Sequence, residues 1–270
     1  MAVTRRSIGI VGCGAIGKAI LRAVDDGRIA VDVAGVTTRT EEPAREFLAS
    51  LKHSWYLMSQ GELIERSDMI VEAAGQHVVF DLAEATFDAG KDLMLISIGA
   101  LLENPEIMDR SRATGCRLFM PSGAMIGLDG LKSASVGEID HVTMVSRKGP
   151  ASLDSAPWII DNKIDLWGMT EETEIFSGTA REACVGFPSN LNVSAAVSFA
   201  GIGPDRTTVK VVAVPSLNRN CHDIEVEGEF GLMRVHLENI QSENPKTGRL
   251  TAMSIIRTIQ QCLDPVRIGT

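Results

Sequence analysis

Over the first 120 positions, short runs of aliphatic and β-branched residues alternate with stretches that carry helical spacing. Residues 7–11, 31–36, 69–73, 93–97 and 117–120 read as strands. Residues 78–89 read as a helix closed by Gly90, and a second helix opens on Asn104-Pro105 and closes at Gly115. Strand and helix in strict turn predict βαβ units and a parallel sheet.

From about residue 138 the pattern changes to period two. Residues 222–227 and 233–238 alternate apolar and polar side chains around a turn at 228–231, as strands with one wet face do. A helical stretch over 180–200 is interrupted near Gly186-Phe187-Pro188. The last segment, 248–263, sets Ala252, Ile255, Ile256, Ile259 and Cys262 on one helical face and is expected to return to the first domain. The fold class is therefore α/β: a doubly wound parallel Rossmann sheet plus a second α+β domain with a largely antiparallel sheet. The expected domains are 1–121 with 244–270, which binds a dinucleotide, and 122–243, which carries catalysis and dimerisation.

Composition narrows the class of partner. With 44% apolar and 23% charged residues the chain has ordinary globular content, and no apolar run approaches the roughly eighteen residues of a membrane span. A net charge of -9 argues against nucleic acid and anionic membranes, which call for a basic surface. Any anionic ligand must then be held by local cations or backbone donors. Five scattered cysteines without a C-x-x-C pair suggest neither a disulfide framework nor a metal site. The first residues run into a strand without the apolar stretch of a secretory signal, so a reducing cytoplasm is expected.

Backbone donors are what residues 8–17 offer. Strand, G-x-G-x-x-G and helix follow one another, with Gly12 for the tight turn, Gly14 for close approach of a pyrophosphate and Gly17 for packing of helix on strand. The anion would sit on free N–H groups at the helix start, beside Ala15 and Ile16. About twenty residues further on, where an acid would bind the ribose of NAD, the chain has Thr37-Thr38-Arg39-Thr40. Hydroxyls and a guanidinium accept a 2′-phosphate, so NADP, or use of both cofactors, is expected, with Arg39 as the recognition residue.

Three further strand ends carry small residues where a cofactor would pass: Glu72-Ala73-Ala74-Gly75-Gln76, Ser97-Ile98-Gly99-Ala100 and Pro121-Ser122-Gly123-Ala124. Together with F-S-G-T-A-R-E-A, F-P-S-N-L-N-V, the C-H-D around His222 and the closing N-P-K-T-G-R-L-T-A-M-S, they give the chain a pattern that resembles the L-aspartate dehydrogenase family over essentially its whole length. The resemblance implies NAD(P)-dependent oxidative deamination of aspartate through iminosuccinate, on a Rossmann domain joined to a second domain whose sheet forms a homodimer. It also implies nicotinamide contacts at Ala124 and Asn190 and an active-site histidine at His222. The substrate would be a small dicarboxylic amino acid. The chain departs from the family pattern at the ribose corner, which bears on the choice of cofactor rather than on the reaction.

His222 suits its implied part because an imidazole exchanges a proton near neutral pH and, when protonated, faces a carboxylate. It is expected at the rim of the sheet, sharing a face with Ile224 and Val226. Cys221 beside it points the other way, which argues against thiol catalysis. His53, His77, His141 and His236 read as structural. Arg181 and Lys163 are candidate carboxylate partners without assignment, and Asn192 reads either as a ligand donor or as a helix cap. Two other readings stay open: a dehydrogenase or reductase of a related four-carbon substrate, such as homoserine or a dihydrodipicolinate-like imine, and a nucleotide-sensing protein without turnover.

Overall fold

The computed structural model describes residues 6–188, 192–240, 248–266 and 268–269. Two compact units divide the chain: Met1–Pro121 with Ala252–Arg267, and Ser122–Thr251 with Ile268–Thr270.

The first unit runs β1 (Ser7–Val11), α1 (Ala15–Asp25), β2 (Asp32–Thr37), α2 (Glu41–Ala49), α3 (Gln60–Arg66), β3 (Met69–Glu72), α4 (Val79–Asp88), β4 (Asp92–Leu95), α5 (Ala100–Glu103), α6 (Glu106–Thr114) and β5 (Leu118–Phe119). Its sheet is wholly parallel in the order β2-β1-β3-β4-β5. Leu57 adds a single parallel bridge outside β2 at Val36, a strand reduced to one residue. The order reverses between β1 and β3, where an open α/β sheet leaves a crevice at the carboxyl ends of its strands.

The strand cores are fully buried because helices cover them: Ile8, Ile10, Ile70, Val71, Leu93 and Met94 are inaccessible. Fully parallel strands read as continuous apolar runs for this reason. The expected strands lie within two residues of those observed, and the glycine stops after α4 and α6 hold, Gly90 and Gly115 both having positive φ. Helices α2 and α3 were not anticipated, although Ser59 and Glu62 form a capping box at the start of α3.

The second unit runs α7 (Leu128–Ala134), β6 (Ile139–Lys148), α8 (Pro150–Leu153), α9 (Pro157–Asp161), β7 (Thr173–Thr179), α10 (Ala180–Gly186), α11 (Asn192–Ala200), β8 (Thr207–Ala213), β9 (Arg219–Gly228) and β10 (Gly231–Ile240). Its sheet has the order β10-β9-β6-β8-β7, antiparallel except for the β6–β8 pair. The α10 helix starts on a capping box of Thr179 and Glu182, which gives the F-S-G-T-A-R-E-A stretch a structural reason. The predicted break at 186–188 separates α10 from α11.

Helix α12 (Arg249–Leu263) closes the chain, and Ile255 and Ile259 are fully buried in the core of the first unit. Burial of those two side chains stabilises its attachment by roughly 1.5–3 kcal/mol each.

Candidate active site

The crevice of the first unit is a cleft of about 410 Å³, lined by the glycine loop, by Thr37 to Thr40 and by Ala73, Ala74, Gln60 and His77. The three glycines have different reasons to be there. At Gly12, with φ +103°, a Cβ would lie 2.5 Å from the Ala73 carbonyl oxygen, and at Gly17 it would lie 2.1 Å from that of Gly12. At Gly14 it would meet nothing within 4 Å. Packing of the protein therefore forces glycine at Gly12 and Gly17 but not at Gly14, whose open side is the cradle a pyrophosphate fills.

Helix α1 begins directly after Gly14, with Ala15 and Ile16 in its first turn and neither a side-chain cap nor an acid there. Its first N–H groups are thus left for an anion. Arg39 is exposed on the cleft wall and pairs with none of the described residues. His77 and Gln60 line the cleft as well, which sequence reading had not assigned.

Behind the loop, Glu72 is fully buried at the end of β3. Its carboxylate accepts from the backbone N–H groups of Ala74 (2.8 Å) and Gly75 (2.7 Å), and from Ile96 (3.2 Å), Ser97 (2.9 Å) and the Ser97 hydroxyl (3.0 Å). One side chain thereby fixes two of the three small-residue turns noted in the sequence.

In the second unit the register of three strands builds a polar patch. Val142, Met144, Ser146 and Lys148 occupy the inner side of β6, and Ser146 pairs with His222. On β9 the same side carries Asn220, His222, Ile224 and Val226, and β10 sets Leu237 opposite His222 and Asn239 opposite Asn220. Toward one end the face is apolar core; toward the other it becomes Ser146, Lys148, His222, Asn220 and Asn239, all buried.

His222 is 2% exposed and Lys148 1%, so the expected position at an open rim is corrected: β9 begins three residues before His222, which is flanked by Ser146 of β6 and Leu237 of β10. Ser146 Oγ, His222 Nδ1 and Asn239 Nδ2 have no hydrogen-bond partner among the described residues. Each such atom costs about 1–3 kcal/mol when nothing meets it, so a cluster of them marks a place for a polar ligand.

Burial, and then the neighbouring Lys148, push the His222 imidazole down to about 3, and burial pushes the Lys148 ammonium down to about 8. The expectation that His222 titrates near neutrality is therefore replaced: the imidazole is neutral and the group poised near neutral pH is Lys148. Lys148 was missed, although its phase with Val142 and Met144 marked it as inward-facing.

Cys221 lies on the opposite face from His222, and burial, with Glu238 and Asp223 nearby, pushes its thiol up. It is not an activated nucleophile. Arg181 is held in a two-point pair with Asp205, and Lys163 is exposed. Ala124 follows Gly123, which has φ +63°, at the start of the second unit and is buried. Asn190 lies outside the described residues. His53 bonds Asp25, while His141 and His236 pair with Glu227 and Asp223 on the outer sheet face.

Residues 12–121 match the model of the NAD-binding domain of homoserine dehydrogenase, and residues 129–262 that of the C-terminal region of aspartate dehydrogenase. L-aspartate dehydrogenase of Methanosarcina acetivorans is 45% identical, over 97% of this chain and 99% of its own. The chain belongs to the L-aspartate dehydrogenase family. A family member from Methanococcoides burtonii is 42% identical over the same shares. The fold also matches the crystal structure of aspartate dehydrogenase from Thermotoga maritima, with a TM-score of 0.75 and 21% identity, over 98% of this chain and all of that one. Membership makes the protein a nicotinamide-dependent dehydrogenase with NAD or NADP as cofactor, and the glycine cradle fits such a group.

Proposed function

We propose that this enzyme oxidises L-aspartate with NAD(P)+ to iminosuccinate, which leaves as oxaloacetate and ammonia, and that it runs the reverse amination under suitable concentrations. The observation that carries the reading is the buried polar patch around His222, set in the half of the chain that matches the aspartate dehydrogenase family. The homoserine reading draws only on the nucleotide half.

The bound nicotinamide supplies the hydride acceptor. Everything else falls to the chain's own residues. Gly12, Gly14 and Gly17 with the start of α1 bind the pyrophosphate, Arg39 with Thr37 and Thr38 selects NADP(H), and Ala124 and Asn190 orient the nicotinamide. His222 meets the substrate as a neutral imidazole through Nδ1.

The protein acts as a homodimer in this reading. Val209, Val211, Met233, Val235 and Leu237 give strands β8 and β10 apolar faces. All five lie on the inner face, where Val209 and Val211 are fully buried and Met233 and Val235 pack on the core. What supports pairing is the outer face, where Arg147 binds Glu172 and Asp223, Lys210 binds Glu174, and Arg234 binds Glu225. Interspersed charges of both signs allow the same patch to match itself about a two-fold axis. A cytoplasmic setting fits five cysteines that form no disulfide. Among the described residues no helix is long and apolar enough to cross a membrane.

The test is a purified enzyme, NAD+ and NADP+ in parallel, and a panel of amino acids followed at the absorbance of the reduced cofactor. Turnover confined to homoserine or another neutral amino acid would overturn the substrate assignment, and cofactor binding without any turnover would make the protein a sensor. A monomeric mass by light scattering at full activity would overturn the dimer.

A further inference from the structure

We propose that Lys148 is the catalytic acid–base residue of this enzyme, its Nζ taking the proton of the water that attacks the substrate imine, beside a His222 that stays neutral. The inference rests on the amino-acid oxidation proposed above and adds the group that completes it.

Geometry comes first. Lys148 is buried on the inner sheet face, one pleat beyond Ser146, which pairs with His222, so lysine and histidine are diagonal neighbours across two strands. Such neighbours lie within reach of long side chains. Around them, Ser146 Oγ, His222 Nδ1 and Asn239 Nδ2 lack partners among the described residues. A structural lysine would not be placed against a second base, because each disfavours the other's charge.

Among the described residues, the neighbours on the adjoining strands leave proton exchange to this amine and the imidazole beside it. On β8 its neighbours are Val211 and Ala213, and on β10 Leu237 and Asn239, none of which titrates. Helices α8 and α11 carry no charged residue, and on α10 Arg181 and Glu182 are engaged with Asp205 and Thr179. Arg147, Asp223 and His236 belong to the outer face. Burial lowers the amine to about 8, within the range in which a lysine serves as a general base.

In the forward direction the substrate reacts as its neutral amine, its ammonium proton having gone to solvent; the oxidation at Cα is the chemistry a bound nicotinamide would supply, and an iminium remains. The water oxygen then bonds to that carbon while one water proton passes to Lys148 Nζ. The ammonium so formed returns the proton to the amino nitrogen. The C–N bond breaks, and the hydroxyl proton leaves with the nitrogen as ammonium, giving the keto acid and a neutral Lys148 for the next cycle.

Lys148→Met, Lys148→Arg and Lys148→Ala test this. In wild type, kcat should rise with pH through a limb near 8. Lys148→Met should lose about a hundredfold or more in kcat, lose the limb, and bind NADPH as wild type does in a fluorescence titration. Its single-turnover formation of reduced cofactor should slow much less than its steady-state release of ammonia. Lys148→Ala should regain activity with added ethylamine, saturably. Lys148→Arg keeps the charge without the proton exchange and should be nearly as inactive as Lys148→Met. An active Lys148→Arg, or a Lys148→Met changed only in aspartate KM, would make the residue a carboxylate clamp and overturn the proposal. So would a limb near 8 that persists in Lys148→Met but vanishes in His222→Asn, or an alanine variant that no amine restores. If wild type itself turns over no amino acid, the functional assignment has failed instead.

Discussion

Lys148→Met should stabilise the ligand-free protein. The folded chain holds the Lys148 amine near 8 against an ordinary 10.5, and burial is the cause. That difference is a factor of a few hundred in acidity, worth about 3 kcal/mol. Its sign follows from proton counting. Below pH 8 the ammonium is present in both folded and unfolded chains, and the folded state carries the whole penalty of burying it. Between 8 and 10.5 the folded state sheds the proton while the unfolded state keeps it, so stability rises with pH. Above 10.5 both are neutral and the penalty is gone.

Methionine has a similar length and no charge, so it removes the penalty at pH 7 and changes little at pH 10. Denaturant unfolding followed by tryptophan fluorescence suits the measurement, because Trp158 and Trp167 both lie in the second unit. The variant should be more stable by up to about 3 kcal/mol at pH 7, and the gap should shrink to about 1 kcal/mol or less at pH 10. A variant less stable than wild type at pH 7, or a gap independent of pH, would show that the ammonium is stabilised in the apoprotein and that the amine is not poised near 8.

Four other outcomes follow from the site. Gly14→Val should leave the thermal midpoint nearly unchanged and abolish calorimetric binding of NADPH, whereas Gly17→Ala should destabilise the fold, because at Gly17, unlike Gly14, the new Cβ would strike backbone. Arg39→Asp should weaken NADPH binding at least tenfold and leave NADH equal or tighter, read as a ratio of dissociation constants. Glu72→Gln should cost about 1–3 kcal/mol in denaturant unfolding and raise the KM of either cofactor, since an amide cannot accept from all the donors the carboxylate serves. His222→Asn should lower kcat/KM for aspartate by about ten- to a hundredfold with NADPH affinity intact; equal kinetics would remove His222 from the site.

The nucleotide half was legible because its constraints are local. A strand, three glycines and a helix start must follow one another within about ten residues, and G-C-G-A-I-G shows them in order. Glycine stops likewise announced the ends of α4 and α6. Less legible were α2 and α3, whose apolar faces are short and whose packing on the sheet decides their helicity. The role of Glu72 was also hidden: nothing in E-A-A-G-Q reveals that the acid turns inward to meet Ser97, twenty-five positions away.

The polar patch shows where period-two reading succeeds and where it needs one more step. Alternation alone places Asn220, His222, Ile224 and Val226 on one face of β9, and places Val142, Met144, Ser146 and Lys148 on one face of β6. Each strand read singly looks like a core strand that frays into polarity at its end, where solvent would accept the polar groups. The pairing changes that meaning, because the antiparallel register of β6 with β9 brings the C-terminal end of one against the N-terminal end of the other. The two polar ends then coincide at one level of the sheet, and β10 adds Asn239 there. Three coincident ends, all buried, no longer resemble fraying. They form a buried polar cluster that folding alone would not select, since each atom left unmet among the described residues weakens the apoprotein. Stability given up at one end of an otherwise apolar face is the physical signature on which the proposed site of chemistry rests.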